Sequence, residues 1–356
     1  MFLILLLALL YATLSSACVF PFNNPRLTNA SLVADYAADL QTKYGNGGEH
    51  GGGNGWATVI GAGTTDMLAW PDNSKSGTKL VNIYYCFASH KDFTDLKDID
   101  ALGDPFHNGH RFDGFHHFYD KSTNSHPRCY RGNTNTGERI WNREVPEGTL
   151  VIESRAPESG SWATLGYLDK TMNSDPDRHT LTIGSKGYGA YWPAEVAHEL
   201  GHVLGLVHEH QRKDRDNFIN FDCSKLLGYD EAKAEIESHS EWGISIDEVC
   251  KSNNLGFTHG LDFMAPTQYT LDMGSGRVQS SGSSYDHDSI MQYSSVALAK
   301  NGQTKAVKDL PIVRWKNGRP QDGLVDDSNA QFIYINTEPS DGDKEGVQRL
   351  YPWIGW

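Results

Sequence analysis

The sequence has no excess of positive charge, no long apolar run beyond its first residues, few cysteines and no internal repeat. Each absence excludes something. Lysine and arginine number 31 against 45 aspartates and glutamates, for a formal net charge of −14. A nucleic-acid surface needs the opposite sign, so no nucleic-acid partner is expected. After the amino-terminal run nothing is apolar enough to span a bilayer, and the mature form is expected to have no membrane association. The five cysteines are Cys18, Cys86, Cys129, Cys223 and Cys250. None has C-x-x-C spacing, which sets aside a dithiol redox site and a cysteine-ligated zinc. Without a repeat there is no solenoid or propeller.

What is present begins with Met1 to Ala17, a short apolar run ending in small residues. It reads as a secretory signal peptide cleaved after Ala17, although it has no basic residue before its apolar core. A secreted, extracellular chain can carry disulfides. Cys18 stands at the cleavage point, and the four remaining cysteines allow three connectivities. The sequence-adjacent pairing, Cys86–Cys129 with Cys223–Cys250, is favoured. Residues 18–65 read as a pro-segment, with a short amphipathic helix over 30–44 and a glycine-rich linker over 45–55. Asn29-Ala30-Ser31 is an N-glycosylation sequon.

Val81 to Phe87, Thr149 to Ser154, Trp162 to Tyr167 and Arg178 to Ile183 are rich in β-branched and aromatic residues and predict strands. Lys91 to Leu102 predicts a helix, as does Asp230 to His239, which lies between Cys223 and Cys250. Residues 103–136 read as irregular and hold His107, His110, His116, His117 and His126. A second metal site there matches no ligand spacing, and a solvated loop is the simpler reading. Ser340 to Tyr351 opens like a capping box and places Val347, Leu350 and Tyr351 on one helical face.

The chemistry lies in Glu195-Val-Ala-His198-Glu199-Leu-Gly-His202-Val-Leu-Gly205-Leu-Val-His208-Glu209. His198 and His202, four residues apart, lie one turn above each other on a helix and can reach one metal ion. Glu199 falls beside the metal, where it can act as general base toward a water. His208 lies in the wrong direction for a continuing helix. Gly205 can adopt φ > 0 and turn the chain so that His208 returns to the metal. Three histidines leave a coordination position open, which suits one catalytic Zn2+ per chain.

A second motif, Ser289-Ile-Met291-Gln-Tyr293, follows. With H-E-x-x-H-x-x-G-x-x-H, it makes the chain resemble the metzincin zinc peptidases, whose tight Met-turn lies beneath the metal histidines. Glu209 after the third histidine, then Arg212-x-Asp214-Arg215-Asp216, is similar to the astacin family in particular. Leu206 and Gln292 depart from the family's usual phenylalanine and histidine. The resemblance runs from about residue 70 to the end, strongest at the two motifs.

The resemblance implies an α/β (α+β) zincin-like fold. A twisted mixed sheet and the active-site helix would form an N-terminal subdomain, and an irregular C-terminal subdomain would carry the Met-turn, both within a catalytic domain over 66–356. It implies an endopeptidase acting on protein or peptide substrates. Glu199 and Tyr293 would be catalytic, and His198, His202 and His208 would hold the zinc. Tyr293 would ligate zinc at rest and swing away to stabilise the transition state. Glu209 would pair with the freed amino terminus, and Arg212, Asp214, Arg215 and Asp216 would form a structural charge network. Trp162 to Tyr167 would be the edge strand that holds an extended peptide. The family's F-x-G-D zinc-blocking sequence is absent, which leaves Asp66 or Asp72 as stand-ins. A monomer is expected. A secreted zinc-containing binding protein without peptidase activity, or a metzincin of another family, are the alternatives.

Overall fold

The computed structural model describes residues 57–59, 69–71 and 81–351, except 97–98, 100–111, 123, 133–138, 156–159, 172, 185–191, 253–254, 262, 264–268, 270–277, 281–283 and 303. The signal peptide, the pro-segment apart from residues 57–59, its sequon, His107, His110, Asp66 and Asp72 lie outside the described residues. Two compact units emerge. One is the described part of Thr58–Val207 with Thr337–Trp356, and the other the described part of His208–Asn336.

The first unit is built on a five-stranded mixed sheet. Its strands are β1 (Val81–Phe87), β2 (Phe112–His117), β3 (Leu150–Arg155), β4 (Trp162–Ala163) and β5 (Thr180–Gly184). Their order is β2-β1-β3-β5-β4. The first four in that order run parallel, and β4 pairs antiparallel with β5 through Trp162–Thr182 and Ala163–Leu181. Parallel strands are covered on both faces and therefore read as continuous apolar runs. Leu150, Val151 and Ile152 in β3, and Leu181 and Ile183 in β5, are accordingly buried. The expected strand over Trp162–Tyr167 is shorter than predicted. Thr164 N–H makes the last bond to β5, to Thr180 O at 2.8 Å, and Gly166, at φ 60°, then turns the chain away.

Helix α1 (His90–Leu96) realises the first half of the helix expected over Lys91–Leu102; beyond it only Ile99 is described. Helix α2 (Trp192–Leu204) carries the histidine motif. Every residue in it except Pro193 is buried, and proline is tolerated so near a helix start. The C-terminal helix Asp341–Leu350 begins with the expected capping box: Asp343 N–H donates to Ser340 Oγ, and the Asp343 carboxylate accepts from Ser340 N–H. Val347, Leu350 and Tyr351 are buried, as the pattern predicted. Cys86 and Cys129 are bonded within this unit.

The second unit has a three-stranded antiparallel sheet of β6 (Ile219–Phe221), β7 (Ile312–Trp315) and β8 (Ala330–Gln331), with β7 in the centre. Helices α3 (Tyr229–Ser238) and α4 (Ile246–Lys251) follow β6, and the Cys223–Cys250 bond closes the segment that holds α3. Its core includes Ile219, Leu226, Ile236, Val249, Tyr269, Tyr285, Tyr293 and Ile312. Both disulfides are the sequence-adjacent pairs.

Candidate metal centre

Helix α2 is fixed at its carboxyl end, where four carbonyls would otherwise lack partners. Gly205, at φ 102°, donates to His202 O at 2.9 Å, and Leu206 N–H donates to Gly201 O at 2.9 Å. These two bonds form a Schellman motif, which ends the helix and reverses the chain. Gly166 N–H also donates to His202 O at 2.8 Å. Trp70 Nε1 donates to Val203 O at 2.8 Å, and Tyr351 Oη to Leu204 O at 3.0 Å. The last turn is therefore satisfied by three different parts of the chain.

The turn at Gly205 does what its position in the motif predicted. Ligand atoms of His198, His202 and His208 all lie within 4.8 Å of one another, and all three residues are buried. His202 Nδ1 lies 2.8 Å from Leu206 O, and His208 Nδ1 lies 2.9 Å from Gln211 Oε1. An Nδ1–H on each ring can donate to that oxygen, the tautomer in which Nε2 carries no proton and can ligate a metal. Second partners of this kind set the tautomer of metal-binding histidines. The three imidazoles fit a Zn2+ ion with a position to spare.

Glu199 is fully buried, and neither carboxylate oxygen has a hydrogen-bond partner. Burial, and then the charge of Glu195, holds its carboxyl well above the ordinary range. An isolated buried carboxylate is costly. A cation beside it removes that cost, so these orphaned oxygens also fit a bound metal.

Residues 177–244 match the family model described as Astacin (Peptidase family M12A). This segment is similar to the astacin family. It contains α2 and all three histidines but stops before Met291 and Tyr293. Astacin-like metalloprotease toxin 2 of Loxosceles intermedia is 36% identical over 85 residues, 24% of this chain and 29% of that protein. Nematocyst expressed protein 6 of Nematostella vectensis is 30% identical over 150 residues, 42% of this chain and 39% of the relative. The chain thus spans well under half the length of these relatives. Among solved structures, high choriolytic enzyme 1, a hatching enzyme zinc-protease of Oryzias latipes (Medaka fish), aligns with TM-score 0.45 and 17% identity. That alignment covers 82% of this chain and 98% of the other.

Within the astacin pattern the residues after His208 are closely tied. Glu209 N–H donates to Met291 O at 3.2 Å, and the Glu209 carboxylate accepts from Arg212 at 2.7 Å and from Asp286 N–H at 2.9 Å. Arg212 also clasps Asp214 through two nitrogens and donates to Ser284 O. Arg212 and Asp214 are thus the structural network expected of them. Arg215 donates to backbone carbonyls of His210 and Tyr269, and Asp216 lies 3.5 Å from its Nε. Met291 is buried in a tight turn, where its N–H donates to Ser289 Oγ and Gln292 N–H to Ser289 O. Tyr293 is buried, and its ring centroid lies 4.6 Å from that of His208.

Several residues that support the site carry no motif signal. His210 stacks on His208 at 4.9 Å, lies against Tyr293 at 4.4 Å and accepts from Tyr293 N–H through Nδ1 at 3.3 Å. Trp70, Tyr351 and Gln211 act on the site through the contacts above. Adjacency to His208 could have marked His210 and Gln211; nothing local marks the other two. In the histidine-rich region, His116 and His117 belong to β2, so this part is not a solvated loop. His117 stacks on His126 at 4.3 Å. Among the described residues the His198, His202 and His208 triad is the one group of three or more side chains placed to hold a metal.

Proposed function

We propose that this protein is a secreted zinc-dependent endopeptidase that hydrolyses peptide bonds of protein substrates. The observation that carries the reading is Glu199: a fully buried carboxyl, one position after a triad histidine, with both oxygens unpartnered. A structural carboxylate would have hydrogen-bond partners. A general base needs its lone pairs open to substrate and water. The astacin segment and the metalloprotease relatives support the same reading.

Bound zinc supplies a Lewis acid that polarises the peptide carbonyl and makes a water easier to deprotonate. Glu199 takes the proton from that water as it attacks and passes it to the leaving amine. Burial helps the carboxyl hold the proton in between. Tyr293 donates its phenolic hydrogen to the developing oxyanion. The short strand β4, at the sheet edge, holds an extended peptide backbone by strand addition.

In this reading residues 1–17 are the signal peptide, 18–65 the pro-segment and 66–356 the catalytic domain. Glu209 receives the processed amino terminus. Extracellular placement is supported by the two disulfides, and among the described residues no helix is long and apolar enough to cross a membrane. The test is Glu199→Gln, with casein cleavage and zinc content measured together. The expected variant binds one zinc and cleaves nothing; full activity would sink the mechanism. Wild-type protein that holds zinc yet cleaves neither casein nor gelatin would instead favour a zinc-containing binding protein.

A further inference from the structure

The edge strand β4 is fastened to α2 at two points. Beyond its end, Gly166 N–H donates to His202 O at 2.8 Å. Just before its start stands Ser161, fully buried. Gly184 N–H, at the end of β5, donates to Ser161 Oγ at 2.9 Å, and Ser161 Oγ–H donates to Glu195 Oε1. Glu195 is also fully buried and lies one helical turn before Glu199. Its other oxygen, Oε2, has no hydrogen-bond partner. A hydroxyl that accepts from one element and donates to another links three of them: β5, β4 and α2.

This arrangement is more than a way of satisfying polar groups. A buried carboxyl with one unpaired oxygen destabilises the helix that holds it, and an alanine or leucine there would pack without that penalty. The carboxyl's one observed contact holds Ser161, and Ser161 sets where β4 begins. Register along a strand decides which backbone groups face a pairing peptide, and a slip of one residue reverses every side chain. The Glu195–Ser161 link therefore fixes the peptide-pairing edge relative to the helix that carries His198 and Glu199.

We propose that Ser161 and Glu195 are positioning residues that set the register of extended substrates on β4. This rests on the endopeptidase reading above. Ser161→Ala removes the link at its centre, and Glu195→Ala removes its helix end while leaving the Gly184–Ser161 bond. In both variants KM for a peptide long enough to pair along β4 is expected to rise about tenfold, the equivalent of one hydrogen bond of ordinary net strength. In Ser161→Ala, KM and kcat for a short substrate that reaches only the cleavage point should not change, nor should zinc content. Ser161→Thr keeps the hydroxyl and should restore wild-type KM for the long peptide. A purely structural role would move long and short substrates together, and that outcome, or an unchanged KM for the long peptide, overturns the proposal. Hydrogen exchange supplies a readout without catalysis: the Gly184 amide should exchange faster in Ser161→Ala. If wild-type protein cleaves nothing but Gly184 responds in this way, the endopeptidase reading fails and the link stands. Gly184 exchange unchanged by Ser161→Ala refutes the link itself.

Discussion

Tyr351 donates its hydroxyl hydrogen to Leu204 O at 3.0 Å across 147 positions of sequence. Its oxygen accepts from Trp70 N–H at 3.3 Å, while the Trp70 indole donates to Val203 O. Two aromatic residues from opposite ends of the chain thus complete the last turn of the metal-binding helix. Tyr351→Phe and Trp70→Phe each leave a buried helix carbonyl without its donor, which costs about 1–3 kcal/mol. Because the Trp70 main-chain N–H donates to Tyr351 Oη and both residues hold the same helix end, the double variant should lose less than the sum of the singles. Urea unfolding of the four proteins measures this, and strict additivity would mean that the two contacts act independently.

Gln211 holds His208 through Nδ1 at 2.9 Å. Replacing it with leucine keeps the volume roughly constant and frees the ring to turn and change tautomer. Loss of such an outer partner typically weakens metal binding by about 10- to 100-fold. Competition with a chromophoric chelator reads the zinc affinity of Gln211→Leu directly. An unchanged affinity would show that packing against His210 and Tyr293 suffices to orient His208.

The metal-binding residues were legible in the sequence because their constraint is local. Two histidines one turn apart, a glycine able to take positive φ and a third histidine are all set by backbone geometry over eleven positions. The capping box at Ser340 was legible for the same reason. Trp70, Tyr351 and the Ser161–Glu195 link were not, since each acts by a single long-range hydrogen bond that no periodicity records. Strand β4 was over-read: Thr164 to Tyr167 have strand-like composition, but Thr164 makes the last backbone bond to β5, accepting from Thr180 N–H through its hydroxyl as well, and Gly166 bonds the helix instead of the sheet.

The pH dependence of stability follows from two buried groups of opposite sign. His179 Nδ1 donates to Gly148 O at 2.7 Å, and Nε2 accepts from Leu168 N–H at 2.8 Å, so the neutral ring is fully satisfied. Burial lowers its pKa from 6.5 to about 4. The unfolded chain takes up this proton first, so the stability from neutral His179 is complete above about pH 6.5 and is lost as pH falls toward 4. Glu195 behaves oppositely. Burial raises its pKa from 4.5 to about 7, so its contribution is present below about pH 4.5 and is lost as pH rises through 7. In the zinc-free protein the two slopes oppose each other between about pH 4.5 and 6.5. Relative to wild type, urea midpoints of His179→Gln should therefore tilt toward a fall as pH rises across that window, and those of Glu195→Gln toward a rise. Identical slopes in both variants would refute the assignment.

Gly205 combines a local and a distant requirement in one residue. At φ 102° it adopts a backbone conformation that a side chain disfavours, and a left-handed residue other than glycine costs about 1–2 kcal/mol. Gly205→Ala can respond in two ways. It can keep the turn and bear the strain, or it can relax φ and break the bonds from Gly205 N–H to His202 O and from Leu206 N–H to Gly201 O. Relaxation moves His208, three residues on, and releases Leu206 O from His202 Nδ1, so two of the three ligands lose their setting together. Strain alone predicts a stability loss of about 1–2 kcal/mol with zinc affinity unchanged. The double dependence of the triad on this turn predicts the other result: a modest fall in stability of the zinc-free protein and a fall in zinc affinity of at least about tenfold, one ligand's outer partner being worth that much. Calorimetric zinc titration beside urea unfolding separates the two responses, and unaltered affinity in Gly205→Ala would mean that the turn persists under strain.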